Sequence, residues 1–143
     1  MKYLLILGLI LGSCNNDKLA EEQMKQADLA MSDLATKIGF HQALLAYAED
    51  SVIIPRQGHM PMMSKLEVNQ NWKDKPLLKE LTWYPIKATV AKSGDMGFTF
   101  GFATFKGADT TTYTNYCTIW HKQPDGKWKF VYDGGNSIPN PFK

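Results

Sequence analysis

The sequence predicts an α+β domain, a cone of about three N-terminal helices packed on a curved antiparallel sheet. Two observations predict it. Apolar residues recur at three- and four-residue steps through the first half, and from Leu81 onward the period changes to two. The chain has 143 residues, 44% of them hydrophobic and 12% aromatic, enough to bury one sizeable core and form one domain.

Met24, Ala27, Met31, Leu34 and Ile38 place a helix over residues ~19–38, with Gly39 as its stop. Phe40 to Ala48 reads as a second, shorter helix. "SKLE", Ser64 to Glu67, has capping-box spacing, in which Ser and Glu satisfy each other's exposed backbone donors. A third helix follows it to about Lys73, before Pro76.

Four strands follow, over ~81–92, ~95–106, ~112–123 and ~127–134, joined by turns at "KSGD", "KGAD" and "QPDGK". A bulged three-residue loop, Pro124-Asp125-Gly126, sets Gln123 against Lys127. Trp120 then faces Phe130 and shares its face with Tyr116, Thr118, Trp128 and Tyr132, while Cys117, Ile119, His121, Lys129, Val131 and Asp133 take the other face. A two-residue Asp125-Gly126 loop would shift the pairing by one and mix the two sets. In the second strand Phe98, Phe100 and Phe102 alternate with Gly97, Thr99, Gly101 and Ala103, and glycine in a strand marks close approach by another group. Either the rings wall a cavity and the small face meets another surface, such as a second subunit's sheet, or the rings pack a solid core.

The net charge is +2 and Arg56 is the only arginine, so no basic stripe tracks phosphates and no nucleic-acid partner is expected. Lys2 and the apolar run Leu4 to Leu11 lead through Gly12 and Ser13 to Cys14, the pattern of a secretion signal. "LGSC", Leu11 to Cys14, resembles the bacterial lipobox, whose cysteine is lipidated and becomes the mature N-terminus. The expected organisation is a signal peptide over 1–13, a tether over 14–19, a cone domain over 20–139 and a tail over 140–143. The expected location is the bacterial cell envelope, with the protein held on a membrane at its periplasmic or surface face by lipid on Cys14. With Cys14 so used, Cys117 has no disulfide partner and reads as a buried, inert thiol rather than a nucleophile.

"LTWYP" at 81–85, "SGDMGFTFG" at 93–101 and "YCTIWHKQPDGKWKFVYDGGNSIP" at 116–139 resemble the SnoaL-like, ketosteroid-isomerase-like domains of the nuclear transport factor 2 superfamily. The resemblance runs over roughly residues 20–139. It implies three helices wrapped by a bent sheet, a pocket inside the cone and, from that superfamily's habit of pairing sheets, a homodimer. It implies no one reaction, because the fold hosts many.

The expected pocket residues are Arg56, Trp83, Phe98, Phe100, Tyr116 and Trp120, and the candidate proton-transfer residues are Asp133 and His59. "PRQGHM", Pro55 to Met60, holds Arg56 and His59 in a loop or short hairpin where relatives place pocket-mouth residues. An arginine there holds a carboxylate bidentately and a histidine exchanges a proton near neutral pH; the alternative is two solvated loop residues. Asp133 interrupts "KFVYDGGN" and is either a general base or the start of a turn. His41 and His121 read as surface residues, Asp95 as a turn residue, and Asp50 as a solvated acid ending the second helix. The base, tyrosine and protonated acid of the isomerases do not all map onto this chain. No HxxxH, CxxC, GxSxG or glycine-rich phosphate loop occurs, so no metal or cofactor is expected. Three functions fit: binding an unknown small apolar or aromatic molecule in the cone, an isomerase, cyclase or hydrolase with Asp133 or His59 as base, or a structural homodimer without ligand.

Overall fold

The computed structural model describes residues 13–143, with side chains from Asp17 onward; the rest of the expected signal peptide lies outside the described residues. Helix α1 runs Ser13–Ile38, so the stretch expected as a tether continues the helix. Its buried stripe is Ala20, Met24, Met31 and Ala35. Gly39, at φ 95°, takes a backbone conformation that other residues rarely adopt and turns the chain into α2, Phe40–Tyr47. The capping box ahead of α3, Lys65–Trp72, forms as a pair of bonds. Glu67 N donates to Ser64 Oγ at 3.2 Å, and Met63 N donates to Glu67 Oε2 at 2.6 Å. The reciprocal bond therefore reaches Met63 rather than the cap residue itself.

Between α2 and α3 lie β1 (Ala48–Arg56) and β2 (His59–Met62), which make the short hairpin that was one alternative for Pro55 to Met60; the length of β1, back to Ala48, was not expected. Val52 and Ile54 are buried on one side of β1 while Ser51 and Pro55 are exposed, the alternation of a half-buried strand. With β3 (Leu81–Val90), β4 (Met96–Lys106), β5 (Thr111–Lys122) and β6 (Trp128–Ile138) they form one six-stranded sheet in the order β2-β1-β6-β5-β4-β3. All neighbours are antiparallel except β1, which pairs parallel with β6, Ile53 opposite Tyr132. Asp50 accordingly sits exposed in a strand and does not end a helix.

The β5–β6 hairpin closes on the three-residue loop. Gln123 N donates to Lys127 O at 2.7 Å, Gly126 N to Gln123 O at 2.8 Å, and Gly126 has φ 83°. Trp120 faces Phe130 as expected, but the register then shifts: Ile119 pairs with Tyr132 and Thr118 with Asp133. Val131 is the extra residue of a β-bulge, which flips every later side chain of β6. Tyr132 thus moves to the outer face beside Ile119. Asp133, grouped by the unshifted pairing with Cys117 and Ile119, instead faces inward beside Thr118.

The small face of β4, not its phenylalanine face, looks into the cone. Thr99 and Thr118 are fully buried there, and Trp120 Nε1 donates to Thr99 Oγ1 at 2.9 Å. A Cβ on Gly97 would lie 2.8 Å from Met24 Sδ of α1, and one on Gly101 would lie 2.8 Å from the Tyr116 ring. Nearer still are backbone carbonyls of β3, Thr89 O at Gly97 and Tyr84 O at Gly101, so the groups that approach the glycines are the neighbouring strand's backbone, a helix side chain and the Tyr116 ring of the same chain. Trp83, Tyr116 and Trp120, from strands on either side, fill the space under α1 and leave β4 room only for small residues. Phe98, Phe100 and Phe102 stand half-buried on the outer face, with Lys87 Nζ 6.0 Å from the Phe98 ring and Phe142 against Phe102. Both arrangements expected for these rings placed them inside, and both are corrected by the pairing.

Candidate functional site: the cone cavity

A cavity of about 290 Å³ opens between α1, α2, the end of α3 and the inner sheet face. Its aromatic wall is continuous: the Phe40 ring lies 5.7 Å from Trp83 and 6.2 Å from Trp72, centroid to centroid. Met31, Leu44 and Ile54 extend the apolar lining. Such a space, mostly apolar with a few polar groups, has the make-up of a small-molecule site.

Behind this wall α1 contributes Asp28, fully buried on the stripe between Met24 and Met31. It accepts from Trp83 Nε1 at 2.7 Å and from the Tyr116 hydroxyl at 2.9 Å. Burial pushes the Asp28 carboxyl above the usual carboxylate range, against the pull of Thr99, Trp83 and Tyr116. Burial and the neighbouring Asp28 charge push the Tyr116 hydroxyl far above the ordinary phenol range. Both indole and phenol donors are committed to Asp28, which fixes the two rings as wall.

Asp133 borders the cavity itself and accepts from Thr118 Oγ1 at 2.6 Å. Burial raises its pKa to about 6; the Thr118 bond opposes the rise and the Asp28 charge adds to it. At that value the group exchanges a proton near neutral pH. Among the described residues Arg56, at the partly exposed rim, is the single basic lining residue, as Asp133 is the single acidic one. Its Nε donates to Met60 O at 3.1 Å and its Nη1 to Asn71 Oδ1 at 3.2 Å, while Asn71 Nδ2 is tied to Glu67 O at 2.9 Å.

Of the residues singled out in the sequence, Arg56, Trp83, Tyr116 and Asp133 come together around this cavity. Phe98 and Phe100 do not, because they lie on the outer face. Trp120 is fully buried against Phe130, ring centroids 5.9 Å apart, and is core rather than cavity wall. His59 is exposed on β2 and outside the lining. His41 stacks on Trp72 at 4.3 Å, and burial, aided by Lys75, lowers its pKa. His121 Nδ1 meets Glu49 Oε1 at 2.8 Å, and Asp95 takes a bond from Ser93 Oγ in the β3–β4 turn. Cys117 is partly buried on the outer face, its thiol raised by burial. Asp28 went unread, although an acid four residues after Met24 and three before Met31 falls on the apolar stripe and signals a buried, partnered carboxyl. Among the described residues no three His, Cys, Asp or Glu side chains are grouped to hold a metal, and no helix is long and apolar enough to cross a membrane.

No protein-family model and no curated protein sequence matches the chain. Solved structures do. A ketosteroid isomerase-like protein from Erwinia carotovora atroseptica is 14% identical, with TM-score 0.67 over 84% of this chain and 97% of that one. An NTF2-like protein with a cystatin-like fold from Novosphingobium aromaticivorans is 14% identical, with TM-score 0.64 over 86% of this chain and 85% of that one. An NTF2-like protein of unknown function from Shewanella oneidensis is 16% identical, with TM-score 0.61 over 80% and 96%. The chain has the NTF2-like, ketosteroid-isomerase-like α+β cone fold. At these identities the likeness concerns the fold.

Proposed function

We propose that this is a lipid-anchored envelope protein whose cone binds a small apolar or aromatic molecule. The observation that carries the binding reading is the cavity of about 290 Å³, walled by Trp72, Phe40 and Trp83 and bordered by the acid Asp133. "LGSC" after the apolar run supports the anchor. An apolar fluorescent probe titrated into the full chain is expected to bind, and Ala103→Leu, which places extra bulk in the lining, is expected to weaken it about tenfold while unfolding stays cooperative. Absence of binding to the wild type, or equal binding by the variant, contradicts the reading.

A second reading, proton-transfer catalysis in the same cavity, is favoured by Asp133, which borders the space with a pKa of about 6. In that reading the carboxylate removes a proton next to a ligand carbonyl. Exchange of such protons for deuterium in a cyclic ketone, followed by NMR, should be accelerated by wild type and not by Asp133→Asn. Equal rates with both proteins would remove the catalytic role. His59, outside the lining, has no part in it.

The homodimer expected from the resemblance is proposed on the outer sheet face, since the small face of β4 is occupied inside the cone. Phe98, Phe100 and Phe102 stand there half-buried. Light scattering should give twice the chain mass for wild type and a monomer for Phe100→Asp; a monomeric wild type contradicts the contact.

A further inference from the structure

The rim of the cavity carries a cation with no acid of its own. Arg56 is the only arginine in the chain and, among the described residues, the only basic one lining the cavity. Among the described residues it makes no ion pair, the two pairs present being His121–Glu49 and Lys127–Asp125. Two neutral acceptors orient it instead, Met60 O on Nε and Asn71 Oδ1 on Nη1, and Asn71 is itself held by Glu67 O. These bonds leave both N–H of Nη2 and the second N–H of Nη1 without a protein partner among the described residues. An arginine steadied by neutral groups keeps its full charge available for an anion, and its fork matches two carboxylate oxygens.

We propose that the cavity selects small aromatic carboxylates, with the carboxylate on the Arg56 guanidinium at the rim and the ring against Trp72, Phe40 and Trp83. The proposal rests on the reading of the cavity as a ligand site. Asp133 sets the orientation, because its charge opposes a carboxylate lodged inside and leaves the rim as the favourable place. A single guanidinium balances one negative charge; a phosphate dianion would keep an unpaired charge beside the acid. The aromatic body follows from the continuous ring wall, whose faces and edges meet a flat ligand better than a branched one.

The test is calorimetric titration of the full chain with 2-naphthoate and 2-naphthamide, which share a ring system and differ in charge. Wild type should bind the carboxylate about tenfold more tightly than the amide. Arg56→Gln should abolish that preference, with its unfolding transition checked alongside. Arg56→Lys, which keeps the charge and loses the fork, should lose most of it and serves if Arg56→Gln fails to fold. Equal binding of the two probes by wild type overturns the carboxylate selectivity while leaving the cavity reading intact. A preference that survives both substitutions overturns the role of Arg56, and no binding of either probe overturns the cavity reading and this proposal together.

Discussion

Two carboxyl groups inside the cone decide how the protein responds to pH and to point substitution. Asp133 has a folded pKa of about 6, above the value near 3.9 of an unfolded chain. Its favourable contribution to folding is therefore complete below about pH 4 and is lost as pH rises through about 6. Asp133→Asn removes the titration. Its unfolding free energy should match wild type near pH 4 and exceed it at pH 8 by up to ~3 kcal/mol, measured by denaturant unfolding at both pH values. A pH-independent difference contradicts the buried setting. Asp28 shifts in the same direction, but its oxygens are occupied by Trp83 and Tyr116. Asp28→Leu strands both donors and should cost roughly 1–3 kcal/mol for each. Asp28→Asn should cost less, because the Tyr116 hydroxyl can turn to accept from the amide. At this scale the sequence showed Asp133 as an acid interrupting an apolar run. What it could not show is the partner set of either acid, since Asp28 meets Trp83 and Tyr116 across 55 and 88 residues of chain.

At the scale of elements, hydrophobic period and turn chemistry were sufficient for α1, α2, α3 and the hairpins of β3 to β6. The "PDG" loop and the capping box were legible because their geometry follows from a few adjacent residues. Strand β1 was legible only at its hairpin end with β2; the rest was not, because "AEDSVIIPR" has only a short apolar core and its other partner, β6, lies some eighty residues later. The bulge at Val131 leaves no local mark either, yet it decides which side of the sheet Asp133 faces. The inversion of β4 has the same origin: alternation revealed two faces, and only the rings of β3 and β5 determined which one was inside. Trp120→Ala should therefore cost the ~3–5 kcal/mol of a fully packed aromatic, and Phe100→Ala, half-buried on the outer face, distinctly less. Equal losses would contradict this facing. Gly101→Ala, whose new methyl would press on the Tyr84 backbone and the Tyr116 ring, should lose roughly 1–3 kcal/mol in the same unfolding assay.

For the whole molecule, the α+β cone was predictable because helices first and an antiparallel meander after leave few ways to bury both apolar faces. The proposed anchor is tested separately from the cone. Wild type made in a bacterium should partition into the detergent phase and Cys14→Ser into the aqueous phase; an unmodified mature wild-type protein that begins elsewhere than Cys14 contradicts lipidation. The central claim, that the cone holds a small molecule beside Asp133, is met most directly by the four tryptophans. Trp72 and Trp83 line the cavity, whereas Trp120 and Trp128 are buried outside it. Indole N–H resonances recorded by ¹⁵N NMR during titration with 2-naphthoate should shift for Trp72 and Trp83 and stay in place for Trp120 and Trp128. No shift in any of the four, or shifts confined to Trp120 and Trp128, would contradict the claim.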